Sequence, residues 1–124
     1  LEPGTHVTTM GQYHPARREV DATTVARSTY VPDLRERVDQ DAGAFIQARD
    51  EGAVDDSHVH AELGAVVAGT QPGRTTDDEI TLFDSGGTAI ETVAAAYRLY
   101  QRAREEGVGE EIEIAPGSVA LTGR

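Results

Sequence analysis

Cysteine, tryptophan, lysine and asparagine are all absent from this chain of 124 residues. Without cysteine there is no disulfide, no zinc thiolate and no thiol nucleophile. Without lysine, the 11 basic residues are all arginine, and they face 22 acidic ones for a formal charge of −11. That balance argues against nucleic acid as a partner, because binding it needs a basic stripe. No apolar run approaches the ~20 residues of a membrane span, and no signal-peptide pattern is present. No membrane partner is expected, and the chain reads as soluble and cytoplasmic. Aromatics make up only 5%, so the core must come mainly from Val, Ala, Leu and Ile. An acidic surface stripped of lysine stays hydrated when salt screens ordinary electrostatics. It reads as halophilic adaptation, although a GC-rich genome also favours Arg over Lys. The chain opens on Leu1 rather than Met, as a piece of something longer or a processed chain would.

What is present is turn punctuation and two kinds of hydrophobic period. Residues 5–10 are β-branched and bounded by Pro3-Gly4 and Gly11, which predicts a strand. Asp21 is placed to cap a short helix through Arg27, and Ser28 to Pro32 reads as a second strand with Val31 facing in. Leu34, Val38, Ala42, Phe45 and Ile46 recur at helical spacing and predict one helix to about Arg49. Asp55-Asp56-Ser57 opens a further helical segment through His60, Leu63, Val66 and Val67, closed by Gly69. After the Gln71-Pro72-Gly73 turn, Asp77-Asp78-Glu79 reads as a solvated acidic turn and Glu79 to Asp84 as a strand. Thr88 to Glu106 is the longest expected helix, stopped by Gly107, with Asp84 a possible cap near its start. Glu111 to Ala115 is a candidate fourth strand, and residues 116–124 an expected flexible tail. Strands alternating with helices predict an α/β fold with a mainly parallel sheet, half of a doubly wound domain.

Several of these residues recur together as blocks. Pro3-Gly4-Thr5-His6-Val7 is followed by Met10-Gly11, Pro15 and Arg18-Glu19. Ala61-Glu62-Leu63-Gly64, Val66-Val67-Ala68-Gly69, Gly73-Arg74, the Ile80 to Ser85 strand and Ala89-Ile90-Glu91 come after. In this order and spacing, residues 1–115 resemble the C-terminal part of the ornithine cyclodeaminase, archaeal alanine dehydrogenase and mu-crystallin family. The resemblance implies the C-terminal part of a Rossmann-type NAD(P)-binding domain with a returning long helix. It implies NAD or NADP as cofactor, a small amino acid or imine as substrate, and a homodimer in full-length form. The Gly-rich dinucleotide fingerprint of the family lies upstream of the part seen here, and nothing in this chain matches it. The isolated chain is therefore expected to be inactive.

The resemblance also places a candidate site. The loop Met10-Gly11-Gln12-Tyr13-His14-Pro15-Ala16-Arg17 matches the family loop under the nicotinamide, where cyclodeaminases carry an Asp two residues before the Pro. Tyr13 stands there instead. An Asp can be tuned into a base near neutral pH, whereas a phenol with an ordinary pKa of about 10 serves better as a donor. Tyr13 and His14 are thus the candidate catalytic residues, against the alternatives of an aromatic packed over the cofactor and a solvent-facing His. Met10, Gly11, Gln12, Arg17 and Ser85 are implied cofactor contacts, and Gly86 a substrate contact. The opposing readings are surface charge for Arg17 and a glycine-demanding turn for Ser85-Gly86. The absent Asp favours single-step reductase or dehydrogenase chemistry over cyclodeamination, with a non-catalytic ligand binder as the other alternative. His58 and Glu62 would share a face of a continuous helix, but no third ligand is evident and no metal is expected.

Overall fold

The computed structural model describes residues 1–112. Glu111 and Ile112 carry no regular structure. The rest of the candidate fourth strand, and the expected tail, lie outside the described residues.

Among the described residues three short strands form where the sequence predicts them: β1 (His6–Thr9), β2 (Thr29–Pro32) and β3 (Thr81–Asp84). All pairings are parallel, in the order β1-β3-β2. The last strand in sequence is therefore the central one, and its end is flanked by both others, with Thr9 and Pro32 each opposite Asp84. Strand alternation puts Val7, Thr9, Tyr30, Pro32, Leu82 and Asp84 on one face. Tyr30, Pro32, Leu82 and Asp84 are fully buried there. Val31, expected to face in, is instead half-buried on the other face. Pairing of Thr29 with Thr81 fixes that register, and a period of two then sends Tyr30 and Pro32 inward.

The core face is covered by three short helices. α1 (Ala22–Ala26) starts as expected at Asp21, whose Oδ1 accepts the Thr24 N–H at 2.8 Å. The single helix expected to Arg49 is broken into α2 (Arg37–Gln40) and α3 (Gly43–Asp50). The break has a tertiary cause: Gly43 N–H donates to Gln12 C=O at 2.9 Å, and Tyr13 pairs with Ala42. A Cβ on Gly43 would lie 1.9 Å from Arg17 O and 2.3 Å from His14 O. The loop after β1 thus occupies the space a continuous helix would need. Val25, Phe45, Ala44 and Ala48 pack with Tyr30 and Leu82 to form the core, and the Phe45 and Tyr30 rings sit 4.7 Å apart.

The segment after Asp55 also departs from one helix. A single 3-10 turn (Asp56–His58) gives way to extended Val59, and α4 (Leu63–Val67) follows. His60 N–H donates to Tyr30 C=O at 3.0 Å, so this backbone covers the outer edge of β2. A second compact unit starts at Ala89. Its α5 (Ala89–Glu106) is the long helix expected, with Ile90, Val93, Tyr97 and Tyr100 along one stripe. Among the described residues no helix is long and apolar enough to cross a membrane.

Glu79 has more structure than a solvated turn requires. Its carboxylate accepts the Thr29 hydroxyl and the Thr75 N–H, tying the turn to the start of β2. Those bonds hold its carboxyl down at about 2, against 4.5 when free. A carboxyl depressed in the fold stabilises it fully above the unfolded value and loses that contribution as pH falls through the folded one. Urea stability is therefore expected to decline between pH 4.5 and about 2, and Glu79→Gln to flatten that part of the profile. Identical slopes for wild type and variant would show that the carboxylate is not held ionised.

Candidate active site

In a parallel α/β sheet the loops leaving the carboxyl ends of the strands collect ligands. Here Met10-Gly11 leaves β1 and Ser85-Gly86 leaves β3, side by side. Ser85 N–H donates to Thr9 C=O at 2.9 Å. The parallel pairing thus brings together four of the residues expected at the site.

Below them lies a buried polar knot. Asp84 accepts the Tyr30 hydroxyl on Oδ2 at 2.5 Å and the Thr9 hydroxyl on Oδ1 at 3.3 Å. Burial pushes its carboxyl above the ordinary carboxylate range, against the pull of Tyr30, Gln12, Arg37 and Thr9. Burial and the adjoining Asp84 charge push the Tyr30 phenol up as well. Asp84 is thus the acceptor at the sheet's centre. Gln12, expected to touch cofactor, is 1% exposed and turned inward. Its Oε1 accepts the Glu19 N–H at 3.4 Å, and Nε2 lies in the knot without a well-formed hydrogen bond.

Two further carboxylates grip the loops themselves. Glu19 Oε2 accepts the N–H groups of Met10 and Gly11 at 2.7 and 2.8 Å. Asp33, just past β2, accepts the Gly86 N–H on Oδ2 at 2.7 Å and Arg37 Nη1 on Oδ1 at 2.9 Å. Arg37 Nη2 lies 2.7 Å from Asp41 Oδ1. Burial opposes the Arg37 charge, but the Asp33 and Asp41 carboxylates outweigh it and hold the guanidinium above its ordinary value.

Tyr13, His14 and Arg17 lie farther along the β1 loop and are exposed. Arg17 Nη1 donates to Tyr13 Oη at 3.4 Å, and its guanidinium lies 5.6 Å from the ring centroid. His14 Nδ1 accepts the Ala16 N–H at 3.1 Å, so the neutral ring carries its proton on Nε2. His58 and Glu62 belong to separate elements. His58 Nε2 donates to Val25 C=O at 2.8 Å, and Glu62 accepts the Arg35 N–H at 2.7 Å. A cavity of about 540 Å³ lined by Arg27, His58 and His60 opens at the opposite, amino ends of β2 and β3. It is remote from both loops.

Sequence reasoning missed Glu19, Tyr30, Asp33, Arg37 and Asp84 as parts of this site. Asp33, Arg37 and Asp41 carried a legible signal, alternating charges at i, i+4 across a helical stretch. Tyr30 and Asp84 carried none, since their bond joins residues 54 apart. Tyr30→Phe leaves a buried carboxyl oxygen without its donor, and is expected to cost about 1–3 kcal/mol of unfolding free energy. Urea unfolding measures this, and unchanged stability would mean that the knot does not depend on the phenol.

Comparison with known proteins identifies the family. A sequence profile of the Ornithine cyclodeaminase/mu-crystallin family matches residues 1–107. The chain is 37% identical over 115 residues to Delta(1)-pyrroline-2-carboxylate reductase of Bacillus cereus (strain ATCC 10987), covering 92% of this chain and 35% of that protein. It is 36% identical over 114 residues to alanine dehydrogenase of Archaeoglobus fulgidus, with 92% and 35% covered. Among solved structures, Delta(1)-pyrroline-2-carboxylate reductase of Thermococcus litoralis in complex with NADH and L-proline superposes with a TM-score of 0.78. That match is at 41% identity and covers 90% of this chain and 35% of the other. The chain thus spans about a third of the length of the curated relatives it matches. With profile, sequence and fold in agreement, the chain belongs to the ornithine cyclodeaminase/mu-crystallin family.

Proposed function

We propose that the full-length protein is an NAD(P)-dependent oxidoreductase acting on a small amino acid or its cyclic imine. The observation that carries this reading is the pairing of Met10-Gly11 and Ser85-Gly86 at adjacent carboxyl strand ends. Neither glycine could carry a side chain, since a Cβ on Gly11 would lie 2.7 Å from Glu19 Oε1 and one on Gly86 1.3 Å from Arg37 Nη1, so both loops present backbone alone there. The relatives named above support the cofactor class, as does an iminosuccinate reductase of Paracoccus denitrificans solved in complex with NAD+ at 34% identity. An archaeal alanine dehydrogenase solved as an NAD-bound dimer, at 35% identity, supports a homodimer.

In this reading a nicotinamide, when bound, would supply or accept the hydride. Met10, Gly11 and Ser85 would hold it, and Arg17 would meet a phosphate or carboxylate from the loop. Gln12 supports the loop from beneath. Gly86 would meet the substrate through its backbone. Tyr13 Oη holds the proton that the substrate nitrogen takes as the adjacent carbon is reduced, and His14 Nε2–H is the alternative donor. The phenol in place of the family Asp favours one hydride step over cyclodeamination. A cyclodeaminase must oxidise ornithine, release ammonia and re-reduce the ring, which calls for a base at this position.

Titration of the full-length protein with NADH and NADPH in high salt is expected to show binding, followed by oxidation when pyrroline-2-carboxylate is added. Proline and ammonia formed from ornithine would contradict the single-step reading, and binding without oxidation across an imine panel would leave a ligand binder. Tyr13→Phe is expected to lower kcat by about a hundredfold while leaving the Kd of NADH unchanged. An unaltered kcat in that variant, with a loss in His14→Gln, would transfer the proton to His14.

A further inference from the structure

We propose that the buried Asp33–Arg37 ion pair is the positioning device of this site, setting the Ser85-Gly86 turn against which substrate and nicotinamide meet. The proposal rests on the functional reading above for what the turn contacts, and on the fold alone for how the turn is held.

The two oxygens of Asp33 divide their work. Oδ1 accepts from Arg37 Nη1 and from Leu34 N–H, both at 2.9 Å, and Oδ2 is left for Gly86 N–H at 2.7 Å. The Asp33 side chain is wholly buried and that of Arg37 is 10% exposed. Charge-assisted bonds to backbone amides are short and strongly directional, so Gly86 N–H has one allowed direction. Main-chain pairing continues the grip, since Asp33 N–H donates to Asp84 C=O at 3.2 Å.

Arg37 acts on the same residue from another side. A Cβ on Gly86 would lie 1.3 Å from Nη1 and 1.5 Å from Cζ of Arg37, so the glycine backbone rests on the guanidinium. Asp41 Oδ1 lies 2.7 Å from Nη2 at the far edge of that guanidinium, an ion pair without a well-formed hydrogen bond. The turn is thereby referenced to β2 through Asp33 and to α2 through Arg37. A buried ion pair adds little net stability over apolar residues of equal volume; its service here is directional. Hydride transfer is sensitive to this, because a misplacement of about 1 Å costs on the order of a hundredfold in rate. Both residues act through Gly86.

The test uses full-length Asp33→Asn and Arg37→Lys, with Arg49→Gln, which removes the pairs to Asp39 and Asp56 away from this site, as control. Asparagine keeps the shape of Asp33 but has one acceptor oxygen, so it serves Gly86 or Arg37 and not both. Lysine keeps the charge and loses the planar fork. Both variants are expected to speed hydrogen exchange in the peptide spanning 83–88 by about tenfold or more. Both are also expected to lower kcat by about ten- to a hundredfold with little change in NADH Kd, while Arg49→Gln changes neither. A kcat and exchange rate equal to wild type in both variants would overturn the proposal. So would a fall in kcat accompanied by parallel losses of NADH binding and thermal stability, which would make the pair merely structural. If the wild type neither binds NADH nor reduces any imine, the functional reading fails by itself. Exchange at 83–88 then decides on the pair, faster exchange supporting it and unchanged exchange overturning it.

Discussion

A single carboxyl group, Asp84 at the end of the central strand, joins the three strands at their carboxyl ends. Thr9 reaches it from β1 and Tyr30 from β2, both through hydroxyls, inside a space closed to water. A sheet of three four-residue strands has few main-chain bonds with which to fix its ends. The side-chain bonds to Asp84 supply what the ladder is too short to give. Burial makes the arrangement demanding, since the carboxyl is pushed above its ordinary range and any donor removed leaves an unsatisfied oxygen in a dry site. Once the strand ends are joined, the loops that leave them have little choice of direction.

Those loops are then oriented by carboxylates from outside the strands. Glu19 collects the two amides after β1, and Asp33 the amide of Gly86 after β3. The acidic composition thus has two uses. Most acids meet solvent, and their pairs with arginine, such as Arg18–Glu51 and Arg49–Asp39, are exposed and screened by salt. Asp33 and Asp84 are buried, and screening reaches them far less. A protein working in concentrated salt would keep the second set while losing the first.

The elements legible in the sequence were those set by local chemistry. All three strands were predicted to within two residues, the first from its β-branched run, Asp21 was a recognisable cap, and the helix expected over Thr88 to Glu106 is α5. The errors occur where a distant segment overrides local preference. Helical spacing ran unbroken through residues 41–43, yet the loop after β1 lies against Gly43 and divides the helix. Val59 sat in a helical pattern but pairs with Tyr30 across the edge of the sheet. At the site, family-like blocks pointed to both loops, because the residues there are contiguous in sequence. The residues that hold those loops were hidden, because Tyr30 and Asp84, or Asp33 and Gly86, meet only through the sheet.

The account stands or falls on whether the two strand-end loops form one surface for the same ring. A crystal structure of the full-length protein with NADH bound decides this most directly. It is predicted to show the nicotinamide within about 4 Å of both Met10-Gly11 and Ser85-Gly86, with the Asp84 knot unchanged beneath. A nicotinamide resting elsewhere, with either loop turned away from it, would contradict the account.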